Sequence, residues 1–393
     1  MCVDRLKIVV MKRVLLLFVA ALSFIATSAQ QNLWQKQDVV SPEINKDGSV
    51  TFRLFAPEAK QVIVTGDMFD AYNSASRDMS RLESGVWEYT TEPLASELYC
   101  YWFNVDGSSD VCDPANSYVV RDVGRQMSYF IISGDRGNYY AAQNVAHGSV
   151  SRVWAKMEDG RERRMAIYTP AGYEQGKGKY PVLYLLHGMG GDEEAWLATG
   201  RLAEIMDNLI AEGKAEPMIV VMTNGCTKHV SAPGFSHEGM WHPYMSGSMD
   251  GSFEHMFPTI VEWVDDHYRT RAKSESRAIA GLSMGGFHSM QISMEYPTMF
   301  DYVGLFSAAI RRGKEGVDIY ENFEEKLERQ FELKPELYYI AIGEDDFLYE
   351  ENIAYRKMLD ERGFDYRYVE SGGGHVWRNW RIYITEFAQL IFK

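Results

Sequence analysis

The sequence predicts an α/β fold with a mostly parallel sheet flanked by helices, preceded by a small all-β sandwich domain. Three observations carry this expectation. At 393 residues the chain is longer than the ~100–200 residues of one typical domain. Between Trp34 and Asp135, short β-type runs follow one another with turn residues between them and no helical segment. After His147, apolar strand runs alternate with segments of helical periodicity. Composition agrees with a folded chain: 46% of residues are hydrophobic and 24% charged, too apolar for a disordered one. The formal net charge of −15 excludes a phosphate-tracking nucleic-acid binder, which needs a basic stripe.

Residues 1–29 have the pattern of an export signal. Lys12 and Arg13 precede an apolar run from Val14 to Ala26, and Thr27-Ser28-Ala29 is a small-residue cleavage site, with cleavage expected after Ala29. Met11 is an alternative start. The run is short for a membrane span, and no other stretch approaches spanning length. No cysteine follows at the cleavage point, which argues against a lipid anchor. The expectation is an exported protein, periplasmic or extracellular, with no membrane span.

Residues 34–136 form the expected sandwich. Val50–Phe55 alternates in polarity, Gln61–Thr65 follows a turn, and Val86–Thr90 and Leu98–Phe103 continue the series. Trp87 and Trp102 fit a core better than a sugar platform. Four cysteines are too few for a disulfide scaffold. Cys100 and Cys112 flank the turn-like Asp106–Ser109, and both a disulfide and two free thiols remain open; Cys226 is left unpaired. Residues 137–147 are the expected linker.

From residue 148 to 393 the elements alternate. Strands are expected at Met165–Thr169, Val182–Leu186, Met218–Met222, Arg277–Ala280, Tyr302–Phe306, Leu337–Ile342 and Tyr366–Glu370. Helices are expected at Arg201–Glu212, Phe253–Tyr268, Gly285–Tyr296, Ile319–Phe331, Tyr349–Arg362 and Arg378–Ile391. Strands and helices in this order build a mostly parallel sheet.

The strongest chemical signal is Gly281-Leu282-Ser283-Met284-Gly285, followed by Gly286. It matches G-x-S-x-G between an entering strand and a leaving helix. Such a turn is tight enough that the flanking residues must lack bulk, and it lifts the serine hydroxyl to the positive end of the next helix. A serine nucleophile needs a base and an orienting acid, which follow it in the order acid, then His. His375, after Ser371-Gly372-Gly373-Gly374 and the last strand, stands where the base is required. For the acid, Glu344, Asp345 and Asp346 follow one strand and Glu370 ends the next; the residues alone leave this choice open. An oxyanion hole needs two backbone N–H groups. Met284 supplies one, and the loop His187-Gly188-Met189-Gly190-Gly191 supplies the other through Met189. His187 itself has no ligand-spaced partner and fits a structural role.

Residues from about Gly148 to Lys393 resemble an esterase family of the α/β-hydrolases that includes esterase D-like proteins and carbohydrate esterase family 1, the family of feruloyl esterases. The matching motifs are Tyr184–Gly188, Gly281–Gly286, the Gly343–Asp346 loop and Gly372–His375 with Trp377. In that family the acid is commonly the fourth residue of a G-x-x-D loop, so the resemblance implies Asp346. Residues 36–135 are similar to the immunoglobulin-like (E-set, glycogen-binding-type) domain ahead of some bacterial feruloyl esterases, through the run Phe52–Pro57.

Thr227–Gly251 is irregular and rich in Gly, Ser, His and aromatics, which suits either a pocket cover or a surface loop. Trp241 is its best aromatic, and Trp196 and Trp377 also stand close after catalytic loops as substrate-binding candidates. His237, His242 and His255 lack a metal-ligand spacing, so neither metal nor organic cofactor is expected. The resemblance implies a secreted serine esterase acting through an acyl-enzyme on Ser283. Its expected partner is ester-substituted plant polysaccharide or oligosaccharide, with feruloyl (hydroxycinnamoyl) esters of arabinoxylan foremost. Acetylxylan or a trilactone siderophore of the enterobactin type is the alternative substrate, and a noncatalytic glycan-binding protein is the rival of another class.

Overall fold

Why Leu98–Phe103 is apolar without a break is answered by the sheet it sits in. The computed structural model describes residues 39–70, 74–107, 110–158, 160–237 and 249–393; the expected export signal lies outside the described residues. The N-terminal domain packs two antiparallel sheets. One has the order β1 (Glu43–Ile44), β2 (Val50–Phe55), β6 (Val86–Thr90), β5 (Ser80–Arg81). The other runs β4 (Ala75–Asp78), β3 (Val62–Gly66), β7 (Leu98–Val105), β9 (Arg125–Ile131), β8 (Val119–Asp122). Side chains alternate across a strand, and both faces of β7 are covered. Tyr99, Tyr101 and Phe103 join Val50, Phe52 and Val64 inside the sandwich. Leu98, Cys100 and Trp102 face the other way and share a cluster with Trp196, Leu202 and Trp380 of the following domain. Trp87 and Trp102 are accordingly core residues. Cys100, Cys112 and Cys226 are free thiols, and Cys100 pairs across the sheet with Tyr129.

The stretch expected to be a linker contains a helix, Asp135–Tyr140, fastened to the second domain. Asn208 Nδ2 donates to the carbonyls of Asn138, Tyr139 and Ala141 at 3.0–3.1 Å, and Arg201 Nε to that of Tyr140 at 2.9 Å. An ion pair buried between the domains, Arg381 to Glu97 at 3.1 Å, adds to the junction. Ser41–Lys393 is one compact unit.

The second domain is built on an eight-stranded sheet. Its order is β10 (Ser149–Lys156), β11 (Glu162–Thr169), β13 (Ile219–Thr223), β12 (Val182–Leu186), β14 (Arg277–Leu282), β15 (Tyr302–Phe306), β16 (Leu337–Gly343), β17 (Arg367–Ser371). The first three pair antiparallel and the rest parallel. Helices cover both faces, so the central strands are buried on both sides: Tyr184 and Leu186 enter one core, Leu183 and Leu185 the other. Predicted and observed helices agree within a few residues at Leu202–Ala211, Ser252–His267, Met284–Glu295, Tyr349–Arg362 and Trp377–Ala388. The expected helix Ile319–Phe331 instead starts at Phe323, because Asn322 takes a left-handed φ of 56° after a short 3₁₀ turn. The loops after β12, β14, β16 and β17 all leave the carboxyl edge of the parallel strands, where open α/β sheets hold ligands.

Candidate active site

Ser283 stands between β14 and the helix Met284–Glu295, with φ 54° and ψ −115°. A non-glycine residue at positive φ is strained and needs its surroundings to hold it. Here its N–H donates to Phe306 O at 2.9 Å, and its carbonyl accepts from Phe287 and Ala309 N–H at 3.1 Å each. The flanking glycines are required by space: a Cβ on Gly281 would lie 2.5 Å from the Gly285 carbonyl, and one on Gly285 would lie 2.5 Å from Leu186 O.

His375 follows β17 and the glycine run, with its side chain 18% exposed. Its Nδ1–H is shared between Asp346 Oδ2 at 2.8 Å and Oδ1 at 3.0 Å. The ring lies against Phe347 and Trp380, with centroids 4.5 and 4.9 Å away. Asp346 is fully buried and its Oδ1 also accepts from Leu348 N–H at 2.9 Å. The other carboxylates weighed from sequence point elsewhere. Glu344 and Asp345 are exposed, and Glu370 accepts from Tyr349 and Tyr368 hydroxyls at 2.7 and 2.6 Å. These two hydroxyls hold the Glu370 carboxyl below its usual range.

Ser283 and His375 open into one cavity of about 460 Å³, together with Met189 and Met284. Met284 is the first residue of its helix, so its N–H has no partner within the helix and belongs to the positive end of the dipole. Met189 rides on the turn closed by Gly191 N–H to Gly188 O at 3.0 Å. Met249, Leu282, Phe347, Leu348, Trp377 and Trp380 give the cavity a largely apolar wall, and Arg311 adds one cation.

His187 serves the loop. Its ring Nδ1 donates to Gly188 O at 2.7 Å while Nε2 accepts from Gly225 N–H at 2.8 Å, an arrangement that only the neutral ring provides. Burial pushes its pKa down in the same direction.

Of the three tryptophans, Trp377 lines the cavity and Trp241 lies outside the described residues. Trp196 is corrected by the structure. It is 1% exposed, donates its indole N–H to Leu186 O at 3.0 Å, and packs edge-on behind Trp377 at 5.3 Å. An aromatic residue soon after a loop is just as often part of that loop's foundation, and burial makes it so here. Asp122 and Val123, which no sequence motif singles out, reach the cavity from the N-terminal domain. Asp122 ends β8 and Val123 follows it, and nothing local in the sequence signals a contact with residues so far along the chain.

Residues 156–389 match the family described as "Putative esterase", and residues 39–120 match carbohydrate-binding module 48, the isoamylase N-terminal domain. The chain belongs to this esterase family and has its α/β-hydrolase fold. An endo-1,4-β-xylanase/feruloyl esterase of Xylanibacter ruminicola is 31% identical over 365 residues, which is 90% of this chain and 46% of that relative. The chain thus spans less than half the length of that relative. Among solved structures, a CE1 ferulic acid esterase of the anaerobic fungus Anaeromyces mucronatus matches with TM-score 0.53 and 25% identity, over 65% of this chain and 95% of that one. The enterobactin esterase of Shigella flexneri matches with TM-score 0.60 over 87% of this chain and 92% of that one, at 17% identity, a likeness of fold alone.

Proposed function

We propose that this protein is an exported serine esterase that removes ester substituents from plant cell-wall polysaccharide, feruloyl esters of arabinoxylan in particular. The observation that carries the reading is His375, held from behind by the buried Asp346, opening with Ser283 into one largely apolar cavity. In this mechanism His375 takes the proton of Ser283 as the hydroxyl attacks the ester carbonyl, and Asp346 steadies the imidazolium. The N–H groups of Met284 and Met189 receive the developing oxyanion. The alcohol leaves with the proton from His375, and water then releases the acid from Ser283 by the same groups.

The substrate class draws on the cavity and the relatives. Aromatic and aliphatic walls including Phe347, Leu348, Trp377 and Trp380 suit a planar aromatic acyl group. A feruloyl esterase among the relatives and another among the structural neighbours support the same choice. The leader-like pattern of residues 1–29 supports export. Among the described residues, no helix is long and apolar enough to cross a membrane.

The test is release of ferulate from feruloylated arabinoxylan oligosaccharide, beside release of acetate from acetylated xylan, with Ser283→Ala as control. Ferulate release that disappears in Ser283→Ala is the expected result. Acetate release alone would keep the mechanism and overturn the substrate.

A further inference from the structure

The end of β8 and the connection to β9 reach both loops on which the proposed chemistry depends. Val123, in that connection, has φ 51°, a left-handed conformation that a β-branched side chain resists. Its side chain fills the space over Gly190: a Cβ at Gly190 would lie 2.8 Å from Val123 Cγ1. Arg121 fixes the turn from below, donating from Nη1 to Val123 O at 2.8 Å and from Nη2 to the buried carboxylate of Asp192. Gly190 and Asp192 follow Met189 on the loop that presents it. On the other side, Asp122 and Trp377 line the same cavity, and burial raises the Asp122 carboxyl against hydrogen bonding from the Trp377 side chain. Trp377 opens the last helix two residues after His375. Asp122 and Val123 both line the cavity that holds Ser283.

We propose that this turn of the N-terminal domain is a positioning element of the esterase site, holding the Met189 loop and the His375 loop in their working relation. The proposal rests on the esterase reading above. It assigns the N-terminal domain a part in the chemical step, separate from any hold on glycan. Strain at Val123 persists because its packing over Gly190 and the Arg121 bonds to Val123 O and Asp192 over-determine the turn, as strained residues beside active sites do. Asp122 and Val123 act through their neighbours: a small displacement of an oxyanion donor or base lowers the rate without changing how substrate binds.

The experiment uses the full chain and 4-nitrophenyl acetate, whose acyl group is too small to depend on the fit of the cavity. Asp122→Ala and Val123→Gly are each expected to lower kcat about tenfold or more while KM stays within about twofold. Val123→Gly is expected to keep or raise the thermal midpoint, because glycine takes φ 51° without strain. Asp122→Asn keeps an acceptor for the Trp377 indole and is expected to retain kcat. Unchanged kcat in both Asp122→Ala and Val123→Gly, or a change in KM alone, would overturn the proposal. Absence of turnover in the wild type, or turnover retained by Ser283→Ala, would instead remove the esterase reading on which it stands.

Discussion

Replacing Asp346 with Asn tests the one contact that orders the proposed triad. In the structure both carboxylate oxygens face His375 Nδ1, at 2.8 and 3.0 Å, and Leu348 N–H fixes Oδ1 at 2.9 Å. The side chain is fully buried, so water does not replace a lost partner. An amide in this place turns a donor toward Nδ1 or accepts from it with no charge behind it. Either way His375 loses the tautomer or the support that lets Nε2 accept the serine proton. Loss of such an acid costs about 10⁴-fold in kcat, or about 5.5 kcal/mol of transition-state stabilisation. Asp345 is exposed and engages the site only by its backbone N–H to Gly373 O at 3.2 Å, so Asp345→Asn should leave kcat within about twofold. Steady-state hydrolysis of 4-nitrophenyl acetate measures both variants. A loss below tenfold in Asp346→Asn, or a larger loss in Asp345→Asn, would refute the assignment.

Glu97→Ala should destabilise the protein by about 3–5 kcal/mol in urea unfolding, because it strands the buried Arg381 guanidinium between the domains. A change under about 1 kcal/mol would contradict that account. Trp196→Phe should cost about 1 kcal/mol, since Leu186 O loses its donor, while KM for a feruloyl ester stays within about twofold; a large KM change would return Trp196 to the pocket. Glu193 is pushed up to about 7 by burial and then by Asp192, against the pull of Ala232 N–H and Arg164. Its folded state therefore holds the proton more tightly than the unfolded chain, and its contribution to stability declines as pH rises from the ordinary carboxylate range toward 7. The thermal midpoint of Glu193→Gln relative to wild type should accordingly rise between pH 5 and 8, and a flat difference would contradict the shift.

Sequence periodicity carried far in the second domain because its central strands are short, apolar and separated by helices. Val182–Leu186 is a strand and Tyr349–Arg362 a helix at the bounds the pattern predicts. Strand β10 escaped notice: it is a mostly exposed edge strand with no apolar run. In the first domain β7 was found but its second buried face was not. Leu98, Cys100 and Trp102 read only as part of an apolar string, and nothing local names the partner that covers them. The nucleophile turn was legible because steric crowding demands glycine at fixed spacing. The choice among Glu344, Asp345 and Asp346 was not legible from residue types alone, since it depends on which way the loop after β16 turns. Asp122 and Val123 were invisible for the same reason on a larger scale: their contacts with Gly190 and Trp377 are set by how the domains pack.

The acyl-enzyme itself is the most direct test of the account. The full chain would be mixed with a feruloyl ester, quenched in acid during turnover, digested and examined by mass spectrometry. The account predicts a feruloyl adduct on the peptide carrying Gly281–Gly286, lost in Ser283→Ala and accumulated in His375→Ala acylated with an activated feruloyl ester. Turnover with the acyl group on another residue, or undiminished turnover in Ser283→Ala, would contradict it.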